Sequence, residues 1–346
     1  MPNREFILID DAQPPFFAGI DLGGTNIKAG LVDDLGRPLS YVTVKSEIEQ
    51  GPEEGARRMA EAALQTGRDA GVAANDIAYI GLATPGTMDI PHGILLNPVN
   101  LPGWHDFPIR DRVSQHAGRP VAYANDANAA AYGEFWVGSG SQYPSMILLT
   151  LGTGVGGGII VGDQTIDGVN SHGSECGHII VDSRDDARMC SCGHRGHLEA
   201  YASATGVTRR AQEALDAGRE SSLLEVRSSN IPLTAKQIHA AAEQGDVLAL
   251  EVILETGRYL GIGITTLLHT IDPAAVVLGG AMDFGGRDNP VGRQFLDRIK
   301  EEVARRAFPV IAERIEIDFA SLGGDAGYIG AAGVARLRSI EHGVSS

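Results

Sequence analysis

All three cysteines of the chain fall inside one stretch, Gly173 to Glu199, read GSECGHIIVDSRDDARMCSCGHRGHLE. Cys190 and Cys192 have one residue between them, and His197 follows a Gly-His-Arg-Gly turn. Two thiolates and an imidazole in so short a loop can converge on one ion, and His178, at the start of an apolar run upstream, can close a tetrahedral set. Zn²⁺ suits these donors, because thiolates bind it as anions and imidazole as a neutral ligand. The alternative is a pair of unrelated surface cysteines in a His-rich loop.

Phosphate chemistry is suggested elsewhere. Asp21-Leu22-Gly23-Gly24-Thr25 and Gly152-Thr153-Gly154 both place glycines and a hydroxyl at a turn between two apolar runs. Glycine lets backbone N–H groups approach phosphate oxygens with no Cβ in the way, and threonine adds a donor. Either turn alone reads equally well as an ordinary hairpin, but with Gly279-Gly280 as a third glycine pair the nucleotide reading is the better one. There is no G-x-x-x-x-G-K-[ST], so this is not a P-loop protein. Asp21 stands where a carboxylate can hold Mg²⁺ through water. Lys28 can reach a phosphate or simply be solvated. Asn125-Asp126 heads an Ala-rich segment after a buried strand. A carboxylate there can cap the helix or act as a general base, taking the proton of a hydroxyl that attacks a γ-phosphate. In the second case Asn125 would hydrogen-bond a neighbouring hydroxyl.

The elements that must position these groups alternate along the chain. Strand, glycine turn and strand are predicted from Phe16 to Val32, with a third strand over Leu39 to Val44. A helix is predicted from Pro52 to about Arg68, with proline in its first turn. Short strands follow at Ile77 to Ala83 and Val121 to Ala124, and then the Asp126 helix. Met146 to Leu151, the Gly152-Thr153-Gly154 turn and Val155 to Val161 repeat the opening device, which points to an internal duplication and two related domains. Helices are predicted at Ala204 to Ala217, Ala235 to Gln244, Asp246 to about His269, Val291 to Arg306 and Gly327 to Ile340. Strands are predicted at Ala274 to Leu278 and Ile315 to Phe319. The class is α/β.

A chain of 346 residues exceeds one ordinary core, so two domains are expected. A net charge of -16 argues against a nucleic-acid partner, because phosphate contacts need clustered Lys and Arg. No apolar run approaches the roughly 18 residues of a membrane span, and MPNREFILIDDAQPP does not read as a signal peptide. Cysteines in a metal-like spacing fit a reducing compartment, so the cytoplasm is the expectation.

Taken together, the motifs resemble those of one family, the ROK sugar kinases, and especially their glucokinases. The resemblance rests on DLGGTNIKAGLV, the Thr84-Pro85-Gly86 turn, NPVNLPGW with Asn100, ANDANAAAYGE, LGTGVGGGII, GSECGH, CSCGHRGHLE and the late VLGG, in order from about residue 16 to 335. It implies an actin-like ATPase (ribonuclease H-like) fold of two related domains facing a central cleft where ATP and sugar meet. The expected division is a flexible tail over 1–15, a smaller domain over 16–124 plus 325–346, and a larger one over 125–324. Residue by residue, the resemblance assigns Asp126 as catalytic base. It assigns Asn125, Glu175, His178 and Glu199 to the sugar hydroxyls, with Gly86 and Asn100 as further contacts. Gly23, Gly24, Thr25, Gly152, Thr153 and Gly154 fall on the phosphate side, Gly279 and Gly280 on the adenosine side, and His178, Cys190, Cys192 and position 197 on a structural zinc.

Position 197 departs from the family, which usually has a third cysteine there. Imidazole is a competent ligand, so a Cys₂His₂ site is expected, with Cys176 as the alternative third thiolate. Asn26 stands where many members have lysine, and Ser174 where glycine is frequent. The implied reaction is phosphoryl transfer from MgATP to the 6-hydroxyl of glucose. A kinase for another hexose or N-acylhexosamine, such as N-acetylmannosamine, fructose or allose, is the alternative, followed by a non-catalytic sugar sensor. The family's repressors carry an N-terminal helix-turn-helix, and the tail through Pro15 is too short for one. A homo-oligomer, dimer or tetramer, is implied by the resemblance alone.

Overall fold

The strand–turn–strand device that recurs in the sequence builds two five-stranded sheets. The computed structural model describes residues 4–98, 101–228 and 232–343. The strands are β1 (Phe16–Leu22), β2 (Asn26–Val32), β3 (Pro38–Lys45), β4 (Ile77–Thr84), β5 (Thr87–Asp89), β6 (Ile94–Asn97) and β7 (Val121–Asn125). They continue with β8 (Ser145–Leu151), β9 (Val155–Val161), β10 (Gln164–Thr165), β11 (Ala275–Gly279) and β12 (Glu316–Phe319). The first large sheet runs β3-β2-β1-β4-β7 and the second β10-β9-β8-β11-β12. The orders correspond strand for strand. In the first, β1, β2 and β3 form an antiparallel meander, and β4 and β7 add in parallel. In the second, β8, β11 and β12 are the parallel members.

By contacts the chain divides into two units, Met1–Gln142 with Gly158–Ser174 and Ser321–Ser346, and Tyr143–Gly157 with Glu175–Ala320. The second domain expected from residue 125 begins later, and the helix Asp126–Trp136 stays with the first unit. Its glycines explain why. A Cβ on Gly330 of the last helix, Ala326–Glu341, would lie 1.6 Å from the Ala129 carbonyl, and one on Gly133 would lie 2.5 Å from the Ala326 carbonyl. The two helices therefore cross with their backbones in contact. The last helix also lies directly on the sheet, since a Cβ at Gly19 or Gly81 would come within 1.8 Å of the Tyr328 or Ala331 carbonyl. Close packing of this kind leaves no room for rearrangement. The other sheet face buries Ile20, Ile27 and Leu31 against Ala56, Met59 and Ala63 of the helix Pro52–Ala70.

The first residues are not the free tail that was expected. Arg4 pairs with Asp325 at 2.7 Å, and the Ile7 N–H donates to the Pro38 carbonyl at 3.0 Å. Fully buried Asp33 accepts from the Gln13 N–H. The helix Ile109–Ala117 was not foreseen in the sequence. Its only apolar signal is the stripe Ile109, Val113, Ala117, buried at a spacing of four.

In the second unit the 25-residue helix Val247–Ile271 packs beside Pro290–Arg306 and supports the metal-like loop. Fully buried Leu198 fits against Gly263, where a Cβ would come within 2.8 Å of its side chain.

Candidate active site

The candidate residues fall into two sets, one in each unit. In the first unit they gather at the carboxyl ends of parallel strands, where open α/β sheets place their ligands. The register puts Asp21 beside Ala83 and Thr84 beside Asn125, so the ends of β1, β4 and β7 are level. Asp21 is walled by Gly327, where a Cβ would approach the carboxyl group to 2.7 Å. Burial pushes its pKa above the usual carboxylate range, against the pull of Lys28, whose Nζ lies 3.4 Å away. Lys28 also donates to the Gly324 carbonyl, so it serves as the partner of Asp21. The Gly23–Thr25 turn is pinned from below by the Ser46 hydroxyl, which donates to the Gly23 carbonyl at 2.6 Å. Gly24 and Thr25 stay exposed at its tip.

The helix Asp126–Trp136 begins with two polar side chains. Asn125 is the N-cap, its Oδ1 accepting from the Ala127 and Asn128 N–H groups at 2.9 and 3.3 Å. Asp126 is the first helical residue and accepts from the Ala127 N–H at 2.8 Å. The helix thus has its cap in Asn125. Its carbonyl oxygen is committed to the helix, and its amide nitrogen is the end that can meet a hydroxyl. Gly86 has φ 95° and lies so close to Pro98 that a Cβ would sit 2.6 Å from its Cα. Only glycine fits there. Asn100 lies outside the described residues.

Several supports were not found from sequence. The Tyr123 hydroxyl and Thr84 Oγ1 share a buried hydrogen bond of 2.8 Å, and burial, with the Asp126 charge, raises the Tyr123 pKa. Asn128 donates to Asp167 at 2.7 Å. Glu134, with no exposed surface, accepts from Leu322 N–H and from both the N–H and the hydroxyl of Ser139 and of Ser321. A buried carboxylate with five donors holds the far end of the Asp126 helix.

In the second unit the Gly173–Glu199 stretch folds into a knuckle. Met189 bridges Arg195, Ile180 bridges His197, and the Cys190 N–H donates to the His194 carbonyl at 2.8 Å. His178, Cys190, Cys192 and His197 each turn one donor atom inward, all within 4.8 Å of one another. The two histidine Nδ1 atoms are 3.3 Å apart, Cys192 Sγ lies 3.2 Å from His197 Nδ1, and Cys190 Sγ lies 3.8 Å from His178 Nδ1. A tetrahedron with bonds of about 2.1 Å to nitrogen and about 2.3 Å to sulfur has edges of about 3.4 to 3.8 Å, close to these separations, so these four residues could hold a zinc ion. Burial lowers the His197 pKa, which favours the neutral imidazole a metal needs. Cys176 is not in this group. It is buried in the short turn Cys176–His178, and burial pushes its thiol up to about 12.

The knuckle is tied to the second glycine turn. Glu199 accepts the Val155 N–H at 3.2 Å through one oxygen and the Ser191 hydroxyl at 2.5 Å through the other. A Cβ on Gly154 would meet that carboxylate at 2.4 Å. The turn itself is held by the Ala204 N–H on the Gly152 carbonyl and by the Thr205 hydroxyl on the Thr153 carbonyl. Gly279 pairs with Thr150, and Gly280, with φ 92°, presses its backbone onto Leu151. His178 Nε2 faces Glu175 at 3.8 Å while its Nδ1 faces the cysteines.

Comparison with known proteins places these features. The model of the ROK family matches residues 17–337. The chain is 36% identical to a glucokinase of Halalkalibacterium halodurans, over 91% of this chain and 93% of that protein. The crystal structure of a ROK hexokinase from Thermus thermophilus aligns with a TM-score of 0.79 at 34% identity, covering 94% of this chain and 99% of that one. A ROK family glucokinase from Streptomyces griseus, in complex with glucose and AMPPNP, aligns at 0.73 and 33%, covering 93% and 99%. The fold is that of the actin-like ATPases, to which these sugar kinases belong.

Proposed function

This chain belongs to the ROK family, and from that premise we propose that it is an ATP-dependent hexose kinase whose substrate is D-glucose, yielding glucose 6-phosphate and ADP. The observation that carries the reading is the division of labour at the head of the Asp126 helix. Asn125 caps it, and a carboxylate stands beside the cap at the end of a parallel strand. Asp126 takes the proton of the sugar 6-hydroxyl as that oxygen bonds to the γ-phosphorus and the bond to ADP breaks. The N–H groups of Gly23, Gly24 and Thr25 and of Gly152, Thr153 and Gly154 hold phosphate oxygens, with Gly279 and Gly280 on the adenosine side. Mg²⁺ travelling with ATP neutralises phosphate charge, and Asp21 is the residue that would hold it through water.

Glu175, His178 and Glu199 are assigned to the sugar hydroxyls, with Asn125, Gly86 and Asn100. A structural zinc bound by His178, Cys190, Cys192 and His197 would have four protein ligands and no open position, so its part is to fix the knuckle. Through it, Glu175 and Glu199 become the two ends of one rigid unit. A homo-oligomer, dimer or tetramer, follows from the resemblance, residence in the cytoplasm follows from cysteines in a metal-like spacing, and both belong to the same proposal. No described helix is long and apolar enough to cross a membrane.

The test is a coupled ADP-release assay over glucose, fructose, allose, mannose and N-acetylmannosamine. Turnover greatest with glucose supports the reading, and a higher kcat/KM for another sugar transfers it to that substrate. No sugar-dependent ADP from any of them would leave a non-catalytic sugar sensor.

A further inference from the structure

The second unit contains a cavity of about 450 Å³ that none of the residues assigned above to sugar, nucleotide or metal lines. Its walls are the Met189–Arg195 side of the knuckle, the helix Ala204–Asp216 and the tilted ring pair Tyr201 and Tyr259, with ring centroids 4.1 Å apart. Four arginines face it, Arg184, Arg188, Arg195 and Arg209, against only Asp186 and Glu213. That is a local excess of positive charge in a protein of net charge -16.

Two of the four are already matched. Arg184 pairs with Asp182 at 2.8 Å and with Asp186 at 3.8 Å, and Arg188 makes a forked pair with Glu213 at 2.7 and 2.5 Å. The other two have no ion-pair partner among the described residues. Arg195 donates to the Ala187 carbonyl at 2.8 Å, and Arg209 to the Met189 carbonyl at 3.2 Å. Each guanidinium carries five N–H donors, so most of theirs stay available. Behind them Arg210 is buried and makes no ion pair among the described residues, although the charges of Glu255 and Glu213 reach it. It donates to the Val252 and Tyr201 carbonyls and to Thr256, and its Nε has no partner. Arg195 and Arg209 thus reach the cavity with no ion-pair partner among the described residues, and Glu213, the acid whose charge reaches Arg209, is already forked to Arg188.

We propose that this cavity binds a small phosphorylated metabolite carrying at least two negative charges, held by Arg195 and Arg209. The chemistry selects phosphate because planar guanidinium forks match its oxygens in pairs. The volume lies within the roughly 300–1,000 Å³ of small-molecule pockets. A polynucleotide would need a cationic surface far beyond one cavity.

The experiment is calorimetric titration of fructose 1,6-bisphosphate into the full-length protein with glucose and AMPPNP present, so that the kinase site is occupied. Fructose and citrate are titrated in parallel. Saturable binding of the bisphosphate that is at least tenfold weaker in the double variant Arg195→Gln, Arg209→Gln, with kcat unchanged, supports the site. No binding to the wild type, equal binding to the double variant, or equally tight binding of citrate would overturn it. A change of oligomeric state in the double variant would also overturn it, by making the arginines an interface. None of these readouts depends on which sugar the protein phosphorylates.

Discussion

Glu199 holds the Val155 N–H at 3.2 Å, at the edge of the Gly152-Thr153-Gly154 turn, while its other oxygen stays on the knuckle at Ser191. One carboxylate therefore joins the loop assigned to phosphate and the loop assigned to metal and sugar. Removing it should disturb both. Glu199→Ala is expected to raise the KM for glucose at least tenfold, in line with the roughly 1.5–3 kcal/mol of a hydrogen bond to a charged group. It should also raise the KM for ATP, because Val155 follows the phosphate turn. Steady-state kinetics with each substrate varied separates the two effects. An unchanged ATP KM would leave Glu199 a sugar contact only.

His197 tests the metal. His197→Cys keeps four ligands and should retain one zinc per chain by elemental analysis. His197→Ala should lose more than about 100-fold in metal affinity, because a first ligand matters at least as much as the outer contacts that cost 10–100-fold. Since metal binding and local folding are coupled, His197→Ala and chelation of the wild type should lower Tm and glucose affinity together. Full activity in protein shown to be free of zinc would remove the brace from the account.

Glu302 supplies a pH signature of the second unit. Burial alone would raise its pKa, but Arg306, Arg305 and Arg298 outweigh burial and hold it down to about 2. A folded pKa below the unfolded value of about 4.3 means that the carboxylate stabilises the fold above that pH. The contribution is lost as pH falls toward 2. Glu302→Gln should therefore lower the urea midpoint most at pH 5 and above, and the difference from wild type should shrink as pH falls from about 4.5 to 2. A gap that stays constant over that range would exclude the charge as its source.

Much of this was readable from the residues. The duplicated strand–glycine–strand device foretold two sheets, and they share one strand order. Cys190, Cys192, His197 and His178 could be gathered on paper because donors for a metal must be thiolate or imidazole and must lie close in a loop. The unit boundary was not readable, because it depends on backbone contacts between Gly133 and Gly330, which are nearly two hundred residues apart in sequence. Which end of the Asn125 side chain the helix uses was hidden for a related reason. Its type suits both a cap and a sugar contact, and only the Ala127 and Asn128 N–H groups show which end is occupied. Asn128–Asp167 and Thr84–Tyr123 are pairings of common residues across the fold, with no local pattern to reveal them.

The central claim is that Asp126 is the base, and its own side chain tests that most directly. Asn125 keeps the helix capped when the carboxylate is removed, so Asp126→Asn and Asp126→Ala should still fold. Both should bind glucose by calorimetry within a few-fold of wild type. Their kcat for sugar-dependent ADP release should fall by about 10² to 10⁴, the usual contribution of a general base. Normal turnover in a folded Asp126→Ala protein would contradict the account.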